Sequence, residues 1–155
     1  YTGVLVQDAS YLVIVPNIAS DINPLTKNPL FLYLNDNFKR PNPFQPDIVV
    51  AIDKSIDKKI NALDAHVSQM YEWIPWTMGE ENTVPKGKTN RKKWLKDRWR
   101  GNSKISNEEG ESLEKWYGGQ SRKDVKYIEV FEVCEYGNRP TDKQILRLFP
   151  MLNKI

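Results

Sequence analysis

Few side chains in this 155-residue chain are of types that could do chemistry, and one of them is the only histidine, His66. An imidazole can serve as a general acid, a general base or a metal ligand near neutral pH. A catalytic histidine needs a partner that orients it, and no such partner is visible beside His66 in the sequence. A hydrogen-bonded histidine of the core or of an interface is therefore the favoured interpretation.

The elements that must position His66 can be predicted from residues 46–76. Residues 47–52 form a β-branched run typical of a buried strand. Asp53 or Ser55 could then cap a helix by accepting backbone N–H bonds. Apolar residues recur beyond them at steps of three and four and predict one continuous apolar helix face: Ile56, Ile60, Leu63, Val67, Met70 and Ile74.

A second candidate is Glu129, which lies in the last predicted strand, residues 125–133. Alternation with period two places it on the same face as Tyr127 and Phe131. An unpaired buried carboxylate is costly, so on a core face Glu129 requires a cationic partner. Lys59 or an arginine would satisfy that requirement, and a structural salt bridge is one of the two roles we expect for Glu129.

The most distinctive charge pattern lies in residues 86–104, where nine Lys and Arg residues accompany one acid, Asp97. The whole chain carries +3, so the other residues must sum to −5. Interleaved tryptophans allow a polyanion-binding module for nucleic acid or an anionic surface. The spacing of Trp94, Leu95, Arg98 and Trp99 equally predicts a helix whose aromatic rings dock while its cations face water. Nucleic acid is an unlikely partner because no recognised nucleic-acid motif accompanies the patch.

Composition limits the remaining possibilities. The length fits a single domain, and no apolar run approaches the roughly 20 residues that span a bilayer. The single cysteine, Cys134, excludes an internal disulfide, which makes a reducing, cytoplasmic location the default. The sequence contains no nucleophilic triad, Gly-rich phosphate loop or Cys/His cluster.

Several segments together resemble one enzyme family. Lys59, Ala62, His66, Ser68 and Gln69 form the pattern K-x-x-A-x-x-x-H-x-S-Q after a P-D-I-V-V strand, and residues 1–9, 28–34 and 126–137 add further similarity. In order and spacing these segments resemble the C-terminal half of the PIG-L/LmbE-type zinc-dependent de-N-acetylases. The resemblance covers most of the chain outside residues 77–124, which we interpret as a basic helical insertion.

The resemblance implies an α/β fold with a Rossmann-like layered sheet, of which residues 1–155 supply the C-terminal part without the N-terminal strands. It also implies a parent enzyme that removes acetyl from N-acetylglucosamine-type amino sugars or glycoconjugates.

The family binds zinc or another divalent metal through H-P-D-D-E and H-P-D-H motifs, and neither occurs here. We therefore expect a fragment that begins just after those motifs, binds no metal by itself, holds no catalytic residue and is inactive alone. Five residues would then line the pocket or contact the residues that line it: Tyr1, Arg40, His66, Gln69 and Glu129. A solvated loop charge is the simpler interpretation of Arg40.

Overall fold

The computed structural model describes residues 1–101, 105–119 and 121–152 and shows a mixed α/β chain built on a small sheet. Its three strands are β1 (Leu30–Leu34), β2 (Ile48–Ala51) and β3 (Ile128–Gly137), in the order β1–β3–β2. Both strand pairs are antiparallel. The expected α/β class is confirmed, whereas the Rossmann-like layered sheet stays a prediction.

The central strand β3 is longer than its neighbours and begins three residues later than predicted, at Ile128. It pairs with β2 through its first half and with β1 through its second half, so Val50 lies opposite Glu129 and Leu30 opposite Gly137. Gly137 adopts φ 89°, and a Cβ at this position would lie 2.6 Å from the Phe31 ring. The strand therefore ends at a residue that only glycine can occupy without strain.

The helices lie mainly in the segments between the strands. The longer ones are α1 (Thr2–Leu12), α2 (Ile56–Ala65), α4 (Lys88–Gly101), α5 (Asn107–Tyr117) and α7 (Asp142–Leu148), and the short ones are α3 (Ile74–Thr77) and α6 (Ser121–Asp124). A π-helical turn (Gln69–Trp73) precedes α3, and a 3₁₀ turn (Glu81–Thr83) follows it. Capping boxes begin α5 at Ser106 and α7 at Thr141, and the second of these caps was predicted.

The predicted continuous helix from Ile56 to Ile74 is wrong in one respect, because the helix breaks at His66. This residue has φ −87° and ψ 65°, outside the helical region, and ends α2. The chain resumes as the π-helical turn, and Val67 becomes 37% exposed instead of continuing the apolar face. Since a π turn changes the angular spacing of side chains, the regular three-four pattern does not describe residues beyond the break.

The predicted side-chain cap of α2 is also wrong. Ser55 occupies the N-cap position, but its side chain makes no cap hydrogen bond. The Asp53 carboxylate accepts instead from the backbone N–H groups of Lys126 and Tyr127, at 3.1 Å and 3.4 Å. Asp53 thus joins the end of β2 to the approach of β3, a contact between residues more than 70 positions apart that local sequence cannot indicate.

Strand β2 forms the centre of the hydrophobic core because both of its faces are covered. Ile48 and Val49 are 0% exposed and Val50 is 8% exposed. Ile48 and Val50 pack with Trp116, Ile145 and Leu152 on one side of the sheet. Val49 packs on the other side with Leu113, Val125 and Val130. Three consecutive buried β-branched residues explain why this segment reads as an uninterrupted apolar run.

Helix α5 also covers the outer edge of β2. The Ser112 hydroxyl and the Trp116 indole N–H donate to the carbonyl of Asp47, at 3.1 Å and 2.9 Å. The backbone N–H of Ala51 donates to the Tyr117 hydroxyl at 3.0 Å. Burial raises the pKa of Tyr117, although the Ala51 hydrogen bond acts in the opposite direction. These side chains satisfy backbone groups that an edge strand would otherwise expose.

Helix α1 is held to the sheet by a polar contact at Tyr33. The Gln7 side-chain amide donates to the Tyr33 hydroxyl at 3.0 Å, and that hydroxyl donates to the Glu135 carboxylate at 3.0 Å. Burial is the main reason that the pKa of Tyr33 is raised, whereas hydrogen bonds, including the one from Tyr33, lower the pKa of Glu135. Much of the apolar surface of α1 remains exposed, including Val4, Leu5, Val6 and Tyr11.

No helix within the described ranges combines the length and the apolar character needed to cross a lipid bilayer.

The packing of α5 on β2 leads to a stability prediction. We expect Leu113→Ala to lower the free energy of unfolding by about 2–5 kcal/mol, because Leu113 is 0% exposed and its truncation leaves a cavity. Leu148→Ala is the matched control in a helix, where the side chain is 57% exposed, and should change stability by less than about 0.5 kcal/mol. Urea unfolding followed by circular dichroism measures both, and equal effects would contradict the assigned core.

Candidate functional site

The ion pair between Lys59 and Glu129 joins two distant segments of the chain. Lys59 lies on α2 and Glu129 on β3, 70 positions apart, and the Lys59 ammonium contacts the Glu129 carboxylate directly. The packing of Ile56 and Ile60 on Tyr127 holds α2 against this part of β3. Glu129 therefore has the cationic partner that its strand position required.

Trp99 of α4 completes this cluster. The Lys59 ammonium lies 4.3 Å from the centroid of the Trp99 ring, within the range of a cation–π contact. The lysine thus contacts an anion and an aromatic face at once. Its side chain is 25% exposed and that of Glu129 is 36% exposed, so both polar groups keep some contact with solvent.

A cavity of about 490 Å³ opens beside this cluster. Its polar lining comes from Asn35 and Asn37 after β1, from Glu109 of α5 and from the Lys59–Glu129 pair, with Trp99 as aromatic surface. Side-chain amides, carboxylates and an ammonium together offer hydrogen-bond donors and acceptors in one concave space. This arrangement can hold a small polar ligand that both donates and accepts hydrogen bonds.

A second cavity of about 480 Å³ lies beyond the end of β2, beside Ile52, Asp53, Tyr117 and Asp124. Its lining is mainly apolar, with Val50, Ile52 and Met151 among the residues. The cavity beside Lys59 and Glu129, whose lining is more polar, is therefore the better candidate for polar recognition.

The structure does not bring the other predicted site residues to the Lys59–Glu129 cavity. Tyr1, Arg40, His66 and Gln69 are all exposed, and none of them lines that cavity. His66 lies at the break after α2 and is exposed, so the core alternative favoured by the sequence is wrong, whereas a position in an interface stays a prediction. Cys134 is buried, as expected for a small strand residue.

The basic helix α4 directs several of its charges inward to acids and aromatic rings. Lys96 contacts Asp57 and Arg98 contacts Glu80. Arg91 lies over the Tyr71 ring at 4.7 Å from the centroid. Leu95 is buried, as the predicted docking of one helix face requires. Residues 102–104 of the predicted basic segment lie outside the described residues.

The described residues do not form a metal site by themselves. Across the described ranges, no three or more His, Cys, Asp and Glu side chains are grouped so that they could hold an ion. A single histidine also limits the nitrogen ligands that the chain can supply. No chemical step is therefore assigned to a metal within this chain.

Sequence reasoning missed the asparagines of the cavity, and it predicted Trp99 only as a docking ring of the basic helix. Lys59 was one of the partners predicted for Glu129, and this prediction is confirmed. Nothing in the local sequence links Asn35 or Trp99 to Glu129, since tertiary packing alone brings them together.

Comparison of the chain with protein-family models, with curated proteins and with solved structures found no match.

The Lys59–Glu129 contact leads to a prediction about coupling. A double-mutant cycle with Lys59→Met and Glu129→Gln should give a coupling free energy of about 0.5–1 kcal/mol, because both side chains are partly buried. The control cycle uses Lys115→Met and Asp142→Asn. Lys115 also lies over a tryptophan ring, 4.4 Å from the Trp116 centroid, so this pair differs mainly in its exposure, 51% and 64%, and its coupling should be about 0.3 kcal/mol or less. Urea unfolding at low and high salt measures the coupling free energy of each pair. If high salt abolishes the coupling in both pairs alike, the Lys59–Glu129 pair is no different from a surface ion pair, which would contradict a distinct site.

Proposed function

We propose that this chain is the supporting part of a metal-dependent N-deacetylase that acts on N-acetylated amino sugars or glycoconjugates. One observation carries the proposal. The segment that bears the K-x-x-A-x-x-x-H-x-S-Q pattern, which begins on α2, and the strand that bears Glu129 each resemble the same enzyme family, and Lys59 and Glu129 join them directly. Residues from separate family-like segments thus line one polar cavity of about 490 Å³.

In this proposal residues 1–155 form walls of the substrate pocket, and other residues of the complete protein bind the metal. Amides and charged groups such as Asn35, Asn37, Lys59 and Glu129 suit the hydroxyl and amide groups of a sugar, which need both donors and acceptors. Zinc, when bound in the complete protein, would polarise the amide carbonyl and activate water. Tyr1, His66, Gln69 and Arg40 would belong to the surroundings of that site.

Two finer statements accompany this proposal. The antiparallel sheet would be the C-terminal part of a larger Rossmann-like layered sheet, with the exposed apolar side of α1 facing the other strands. A cytoplasmic location agrees with the single buried thiol of Cys134, since disulfides form mainly in oxidising compartments.

The proposal can be tested on the longest open reading frame that contains residues 1–155. We expect it to encode H-P-D-D-E and H-P-D-H motifs and its product to bind zinc and to release acetate from N-acetylglucosamine-type substrates. Residues 1–155 alone should do neither. A reading frame without these motifs, or a full-length product that releases no acetate, would overturn the proposal.

The role of the cavity can be tested in the same full-length enzyme. Asn37→Ala should raise KM by about tenfold or more with a smaller change in kcat, because it removes binding groups and not reacting groups. Asn61→Ala is the control, since Asn61 is an exposed asparagine of α2 that does not line the cavity. Equal KM values for the two variants would show that the cavity does not hold substrate.

A second candidate function, polyanion binding, is favoured by the exposure of Lys86, Lys88 and Lys93 around the first half of α4. Replacing all three with Gln should then weaken heparin binding by about tenfold and reduce its salt dependence. The control variant replaces Lys27, Lys39 and Lys54, which are exposed lysines elsewhere and give the same charge change. If both triple variants lose affinity equally, net charge and not this helix governs the interaction.

A further inference from the structure

An aromatic groove lies on the side of the chain formed by the π-helical turn and α3. It has a volume of about 520 Å³, and its lining consists of three aromatic and three polar residues: Ser68, Tyr71, Glu72, Trp73, Trp76 and Glu81. The groove is separate from the Lys59–Glu129 cavity, with which it shares no lining residue. Neither the family resemblance nor the proposed function accounts for it.

The two tryptophans of this groove are unusually exposed for residues in a well-anchored turn. Trp73 is 55% exposed and Trp76 is 66% exposed, whereas Tyr71 is only 6% exposed. Pro75, between the tryptophans, is among the fully buried side chains, and its carbonyl accepts from the Glu80 N–H at 2.7 Å. The backbone is thus fixed while both indole rings remain accessible, and an exposed aromatic patch of this kind can mark an interaction site.

The segment that forms the groove is acidic although the whole chain carries +3. Residues 67–85 contain three acids, Glu72, Glu80 and Glu81, and no lysine, arginine or histidine. Glu80 is paired with Arg98. Glu72 and Glu81 line the groove, and in the part of the chain that the structure describes neither takes part in an ion pair. Arg91 already lies over the Tyr71 ring, 4.7 Å from its centroid. The groove therefore offers a ligand the exposed rings of Trp73 and Trp76 together with the carboxylates of Glu72 and Glu81.

This combination favours a cation that needs no hydrogen bonds. Tryptophan faces attract cations through the ring quadrupole, and carboxylates add attraction at longer range. A primary ammonium ion would lose strong hydration on entering and would need several acceptors, whereas a quaternary ammonium ion carries only methyl groups at its surface. We propose that the groove binds a small trimethylammonium compound of the choline type through Trp73, Trp76, Glu72 and Glu81.

The size of the groove supports a small ligand over a peptide. The six lining residues lie within a 14-residue stretch, so the groove is a local feature of the π-helical turn, α3 and the 3₁₀ turn. This is enough surface for one trimethylammonium group, whose main contacts would be the two indole rings.

The test uses residues 1–155 and two probes of equal shape, choline and its neutral isostere 3,3-dimethylbutan-1-ol. Indole N–H chemical shifts in two-dimensional NMR report binding at each tryptophan. We expect saturable binding of choline in the millimolar range and at least fivefold weaker binding of the neutral isostere. Equal binding of the two probes, or no saturation with choline, would overturn the proposal.

Variants assign the binding to the groove. Trp73→Leu and Trp76→Leu should each weaken choline binding by about two- to fivefold, since a cation–π contact at an exposed site contributes little more. Glu81→Gln should weaken it and reduce its dependence on salt. The controls are Phe38→Leu and Glu111→Gln, an exposed aromatic residue and an exposed acid outside the groove, and both should leave affinity unchanged.

Peptides distinguish the source of the ligand. A peptide with trimethyllysine should bind no more tightly than choline, and its unmodified lysine form should bind at least fivefold more weakly than the trimethylated form. Equal affinity of the two peptides would rule out selection of a quaternary ammonium group. Much tighter binding of the trimethylated peptide would replace the small-molecule ligand with a modified protein partner and so overturn the proposal as stated.

Discussion

The burial of strand β2 is the constraint on which the rest of the structure depends. Both of its faces and its outer edge are withdrawn from water, so every neighbouring element must cover apolar surface or satisfy backbone groups. Helix α5 does both, because Leu113 packs on one face while Ser112 and Trp116 bind the carbonyl of Asp47. A helix that follows β2 by more than 50 residues therefore decides whether the strand can remain buried.

The same arrangement determines where polar groups can gather. Asp53 follows β2, and its carboxylate binds the backbone that leads into β3. The chain continues from Asp53 into α2. Helix α2 then packs Ile56 and Ile60 against Tyr127, and this packing brings Lys59 to Glu129. The polar cavity forms beside this pair, at a junction between helices and strand where backbone and apolar packing leave space. Lys59 and Glu129 compensate each other's charge, so the cavity is better suited to a neutral polar ligand than to a charged one.

Helix α4 shows that a strongly basic segment can be a structural element. Arg91 and Arg98 contact aromatic rings or acids, while the buried Leu95 anchors the helix. The stretch before α4 carries the opposite charge, because residues 67–85 contain three acids and no base. The same stretch exposes Trp73 and Trp76. The basic helix neutralises part of that acidity through Glu80, whereas Glu72 and Glu81 remain beside the aromatic groove. In this region the charges that face the fold, such as Arg98 and Glu80, therefore join α4 to the stretch before it, whereas Glu72 and Glu81 remain open to a ligand.

Local features of this protein could be predicted from the sequence, because they depend on neighbouring residues. The apolar run of β2, the cap at Thr141 and the need of Glu129 for a cation all follow from residue type and spacing. Features that depend on distant contacts could be learned from the fold alone. The choice of Lys59 among the possible cations, the neighbourhood of Trp99 and the use of Asp53 by another strand required α2, α4 and β3 to pack together. The break at His66 belongs to the same class, since helical periodicity favours continuation, whereas the folded chain makes a π-helical turn there and buries Tyr71 and Pro75.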